Sequence, residues 1–170
     1  MLDFLFRRLT AEPNRAHALF AAATREARRP HWYRQGEVPD TIDGRFAVLA
    51  TIVAMILVRL ERGGEDGDAL SVALTERFIE VMESEHRELG LGDPTLGRTV
   101  RKLVGSVAKR TELWRSAVTS ENAWRETTRE SLYRRDVPAQ AVEHSAESLR
   151  NFWSQLDASD VSSLSGGELE

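Results

Sequence analysis

Few side chains in this sequence are of the kinds that do chemistry, and their spacing is wrong for most of it. Histidines stand at 17, 31, 86 and 144, and there is no cysteine, so disulfides and thiolate metal sites are excluded. Glu83, Glu85, His86 and Glu88 crowd one stretch, but a helical zinc site needs two histidines one turn apart beside an acid. That cluster reads as a solvated helix face. His31, next to Trp32 and Tyr33, reads as a packed, hydrogen-bonded histidine in a connecting segment rather than a catalytic base. No glycine-rich phosphate cradle and no nucleophile elbow is present; Gly63, Gly64, Gly90 and Gly92 fall in turns, where backbone freedom accounts for them. No catalytic residue, metal ligand or cofactor is therefore expected.

The charged side chains suggest binding instead. Arg98, Arg101, Lys102 and Lys109 fall on the wet side of one helix, where they form a solvated stripe or meet anionic lipid, RNA or an acidic protein face. Net charge is −4, whereas a DNA-binding domain is usually basic overall, so no DNA partner is expected. The charge comes in blocks of alternating sign. Seven Arg face three acids over residues 1–35, and thirteen acids face six Arg over 36–100. Blocks of this kind fit helices with oppositely charged outer faces, one of which could match a protein partner.

The elements that would carry these groups are helices. Leu2, Leu5, Phe6 and Leu9 predict a short amphipathic helix, and Pro13 to Arg29 a second, ended by Pro30. Val38-Pro39-Asp40 is a turn, and Asp40 or Thr41 can cap the next helix. Val48, Leu49, Ile52, Val53, Ile56, Leu57 and Leu60 predict a central core helix over about 42–61, although its β-branched content leaves a strand open. Its apolar run, Phe46 to Val58, is too short to cross roughly 30 Å of hydrocarbon. Leu70, Leu74, Phe78, Val81, Met82 and Leu89 mark a second long helix. Val100, Leu103, Val104, Val107 and Trp114 mark a third. After Pro138, the series Val142, Ala146, Leu149, Trp153 and Leu156 predicts another. The expected architecture is an all-α, single-domain helical bundle. It comprises an N-terminal helical extension over 1–30, a main domain over 31–157 and a frayed, disordered tail over 158–170.

Two stretches are more specific. Val38-Pro39-Asp40-Thr41-Ile42-Asp43-Gly44-Arg45-Phe46, preceded by Trp32-Tyr33, resembles the ubiquinol–cytochrome c chaperone family. So does Arg87-Glu88-Leu89-Gly90-Leu91-Gly92-Asp93, followed by Gly97 and Val100-Arg101-Lys102-Leu103. The resemblance spans about 32–110, and Val107-Ala108-Lys109-Arg110 departs from the family pattern, as in a divergent member. It implies a non-enzymatic assembly factor for the cytochrome bc1 complex, with cytochrome b as its protein client and a small helical co-chaperone as a further partner. It also implies a bacterial chain acting in the cytoplasm, at the inner face of the membrane. The other reading is a helical adaptor or membrane-surface regulator with a different client.

Physical roles for the matched residues are compatible with either reading. Pro39 fixes the turn, and Gly44 lets a neighbouring backbone approach closely. Arg45 needs an acidic partner, expected on the next helix at Glu80, Glu83 or Glu85. Trp32, Tyr33, Asp40 and Arg45 form one candidate partner-binding patch, since aromatics and Arg are enriched at interface hot spots. Arg98, Arg101, Lys102 and Lys109 form the other.

Overall fold

The computed structural model describes residues 14–169, and every regular element among them is helical. The amphipathic helix expected near Leu2–Leu9 lies outside the described residues. In chain order the helices are α1 (Asn14–Ala27), α2 (His31–Arg34), α3 (Ile42–Leu60), α4 (Gly64–Glu88), α5 (Asp93–Ala117), α6 (Trp124–Leu132), α7 (Ala139–Ala158) and α8 (Val161–Ser165). A 3₁₀ turn, Glu121–Ala123, leads into α6.

Helix α3 is the axis of the fold. Val48, Ile52, Met55, Ile56 and Leu60 have no exposed surface, and burying each such side chain contributes about 1.5–3 kcal/mol. The helix starts where its sequence says it should. Thr41 Oγ1 accepts from the Gly44 amide at 3.2 Å, which satisfies one of the donors that a helix N-terminus leaves open. Gly44 then lies so close to the preceding turn that a Cβ there would sit 1.8 Å from the Pro39 carbonyl oxygen. The close backbone approach expected at Gly44 is therefore real, and no other residue fits without displacing the turn.

Helix α4 folds back on α3 through the Gly63-Gly64 turn, and α5 runs parallel to α3. Their shared end is fixed by Arg115, which forks onto Glu61 through Nε (2.9 Å) and Nη2 (2.6 Å). Helix α1 packs on α3 and α4, with Leu19 and Ala23 fully buried. Residues 14–27 are thus part of the bundle, not an appendage to it.

Polar groups inside the bundle are joined across helices. Ser131 Oγ lies 2.7 Å from Thr51 Oγ1 and accepts from Trp114 Nε1 at 3.1 Å, and Thr51 donates to the Ala47 carbonyl. This ties α6 to α3 and α5. Ser131→Ala leaves the buried indole N–H without an acceptor, so a loss of about 1–3 kcal/mol is expected in urea unfolding. An unchanged midpoint would contradict the assignment.

The frayed tail expected from residue 158 is not what forms. Asp160 caps α8 by accepting from the Ser163 amide at 2.7 Å, Leu164 is fully buried and Leu169 nearly so. Arg59 of α3 donates to the Leu156 and Ser159 carbonyls at 2.9 and 2.6 Å. It satisfies the end of α7 and steers the chain back onto the bundle. Two apolar anchors and two caps outweigh a Ser- and Gly-rich composition.

Candidate helix-binding groove

The two patches expected from sequence are only partly assembled. Trp32 has no exposed surface, and its Nε1 donates to the Glu26 carbonyl at 3.0 Å. A buried indole with its N–H satisfied is a core group and offers nothing to a partner in this conformation. Tyr33 is half-buried and donates to the Ala27 carbonyl at 2.7 Å. Arg45 and Asp40 are exposed and pair with each other at 2.6 Å. The acid on α4 expected to meet Arg45 is not its partner, because Arg45 points outward from the first turn of α3, back toward Asp40. That hydrogen bond holds the Asp40 carboxyl below its usual range. All four residues of the basic stripe, Arg98, Arg101, Lys102 and Lys109, are exposed, and Lys109 also pairs with Glu130 of α6 at 3.0 Å.

The histidines meet where sequence gave no hint of it. His31 Nδ1 lies 3.2 Å from His144 Nε2, with Glu26 3.9 Å from the far side of the His31 ring. Burial and then the neighbouring His31 push the His144 pKa below 6.5, with Glu147 opposing. The folded protein therefore takes up this proton less readily than the unfolded chain, so stability falls as pH drops through about 6.5. Burial raises the Glu26 carboxyl, but the nearby His31 ring and the hydrogen bond from Arg29 outweigh it and leave the group below its usual range. Its contribution is lost at lower pH, in the same direction. Melting temperature is expected to decline between about pH 7.5 and 5, and His144→Gln to flatten the upper part of that slope. An identical slope in the variant would refute the coupling.

Among the described residues, a groove lies over α3, between α4 and α5. It encloses about 570 Å³ and is lined chiefly by Val53, Leu57, Val72, Phe78, Val104 and Val107. Val72, on the long amphipathic helix α4, is 59% exposed. Glu61, Glu76 and Glu112 edge the groove, together with Arg115. Arg115 pairs with both Glu61 and Glu112, closing one end, and its hydrogen bond lowers the Glu61 pKa. The site is thus apolar at its base and acidic along its edge. Concave apolar sites of this size take side chains from a ligand or a partner helix. Among the described residues, no set of three or more His, Asp or Glu is arranged to hold a metal ion, and no helix is long and apolar enough to cross a membrane.

Sequence reasoning assigned Val104 and Val107 to the interior and did not single out Val72. The available signal was that Val72 falls off the Leu70–Leu74–Phe78–Met82 register. An apolar residue there widens the stripe of α4 toward α5.

Among the described residues, eight helices form an all-α bundle with an open apolar groove between α3, α4 and α5. The family model described as ubiquinol–cytochrome C chaperone matches residues 34–169, and the chain belongs to that family. The match runs through α8, past the boundary at 157 expected from sequence. Among solved structures, the crystal structure of the Cbp3 homolog from Brucella abortus is similar. It has a TM-score of 0.77 and 22% identity over 99% of this chain and 94% of that one. At that identity the likeness establishes the fold. A comparison with curated proteins finds no significant match.

Proposed function

We propose that this protein is a non-enzymatic assembly chaperone for the cytochrome bc1 complex, and that its groove grips an apolar helix of newly made cytochrome b. The observation that carries this reading is family membership over 34–169 combined with an open apolar groove on a bundle otherwise well packed. A membrane protein awaiting its partners exposes helices that water does not tolerate. A groove lined by Leu57, Val72 and Val104 replaces part of that missing contact. The acidic edge favours helices flanked by basic residues. Deleting the protein from its host is expected to remove assembled bc1 complex while leaving other respiratory complexes intact; normal bc1 levels would refute the reading.

A second surface supports action at the inner face of the cytoplasmic membrane. Arg98, Arg101 and Lys102 are exposed on α5, and each basic residue near an anionic surface contributes about 1 kcal/mol. Peripheral binding through this stripe keeps the groove close to an inserting client. Trp32 is absent from both surfaces, and a small helical co-chaperone would use the Tyr33–Asp40–Arg45 corner. Salt-sensitive co-sedimentation with anionic vesicles, lost on Arg98→Glu plus Lys102→Glu, is the expected result.

A further inference from the structure

Helices α4 and α5 present an outer face that is complementary to itself. The two are antiparallel and joined by residues 89–92, so positions equally far from that turn stand at the same height. Glu76, Glu80 and Glu83 step along the side of α4 that carries Val72, and Arg98, Arg101 and Lys102 along the side of α5 that carries Ala108. Counted from the turn, Glu80 is level with Arg101, Glu83 with Arg98, and Val72 with the turn of helix around Ala108. All six charged groups are exposed except Glu83, which is half-buried. Glu80 pairs with Arg77 of its own helix, and none of the other five has an ionic partner among the described residues. Opposite charges thus line the two lips of the groove without meeting inside one chain.

We propose that, without a client, two copies of this chain pack face to face about a two-fold axis along the groove, α4 of each over α5 of the other. An axis in that direction keeps every residue at its own height and makes each contact twice. Glu80 then faces Arg101 of the second copy, Glu83 faces Arg98, and Glu76 falls within a turn of Lys102. Val72 comes down beside Ala108. Towards the far end Asp66 is level with Arg115 and Glu112 with Ala69. At the turn, Glu88 is level with Asp93, and Arg87 stands beside them. Each of the two helices has 25 residues, about 37 Å, and side by side at about 10 Å each they offer about 740 Å² per protomer. Stable interfaces bury about 800 Å² per partner, so the face suffices for a reversible dimer. The second copy closes the groove. That it thereby excludes the client rests on the groove being the client site, whereas the dimer stands on the charges and the area.

Sedimentation velocity on the full chain, over a concentration series, is the test. Wild type is expected as a dimer that dissociates on dilution and in high salt. Glu80→Lys with Glu83→Lys makes the face basic on both helices, and Arg98→Glu with Arg101→Glu makes it acidic on both. Each variant alone is expected to pair at least about tenfold more weakly than wild type. Mixed in equal amounts they are expected to re-form the dimer, since every reversed charge then meets its opposite, and that recovery also shows that both are folded. A wild type that stays monomeric, a dimer that neither reversal weakens, or a mixture that does not recover would overturn the proposal. In a second arm, Val72→Cys, in a chain without native cysteine, is expected to react with a maleimide in proportion to the remaining monomer; reactivity independent of concentration would overturn closure of the groove. A monomeric wild type that still captures its client from position 72 removes the dimer and leaves the client reading intact. A dimer that persists while position 72 captures no client does the reverse.

Discussion

Val72→Asp combined with Ala108→Glu is expected to leave the fold unchanged and to reduce client binding at least tenfold, about 1.4 kcal/mol. Both positions are exposed and line the groove, so neither variant buries a charge in the free protein. In the complex each carboxylate would lose water against an apolar helix, which is costly without a partner. The new charges also add to Glu61, Glu76 and Glu112, leaving Arg115 as the basic residue among the lining groups. Circular dichroism and thermal melting check the fold, and co-purification of cytochrome b from native-host membranes checks the function. Loss of fold in this double variant would mean that the groove is part of the core rather than a free surface.

Gly44→Ala is expected to be the most damaging single-methyl change in the described structure. The added Cβ would meet the Pro39 carbonyl oxygen at 1.8 Å and its carbon at 2.9 Å. Neither is the end of a side chain that can swing away. Relief requires shifting the turn that presents Thr41 as the cap of α3, the helix on which the rest of the bundle packs. Overpacking of this kind costs about 3 kcal/mol, or roughly 6–12 °C in melting temperature for a chain of this length. Gly97→Ala and Gly105→Ala provide the contrast. Both lie inside α5 with nothing within 4 Å of a built Cβ, so each is expected to stabilise by about 0.5–1 kcal/mol through helix propensity. Calorimetry on the three variants decides the matter, and a neutral Gly44→Ala would show that the approach to Pro39 is not constraining.

These contrasts separate what was legible in the sequence from what was not. The central helix was legible because Val48, Ile52, Ile56 and Leu60 repeat at helical intervals after a cap, and the reading over about 42–61 differs by one residue from Ile42–Leu60. The β-branched residues that left a strand open are instead buried in a helix, where packing outweighs local preference. The family was legible because the Val38–Phe46 and Arg87–Asp93 stretches combine turn-forming and capping residues in a definite order and spacing, and the family match over 34–169 includes both. Residue fates within those stretches were less so. Nothing in the order Trp32-Tyr33 says that one indole finds the Glu26 carbonyl and sinks into the core while the neighbouring ring stays half-exposed. The tail was misjudged because composition averages over Leu164 and Leu169 and hides the Asp160 cap. The groove was invisible because it belongs to no single helix. It is the space left where the side chains of α4 and α5 diverge above Val53 and Leu57, and a one-dimensional pattern does not show the separation of two rods.

The most direct measurement is site-specific photocrosslinking in the native host, with the crosslinker at position 72 and, separately, at position 98. An apolar client held between α4 and α5 predicts an adduct with newly made cytochrome b from position 72 and a much weaker one, or lipid alone, from position 98. Cytochrome b captured from position 98 but never from position 72 would show that the groove is not where the client binds.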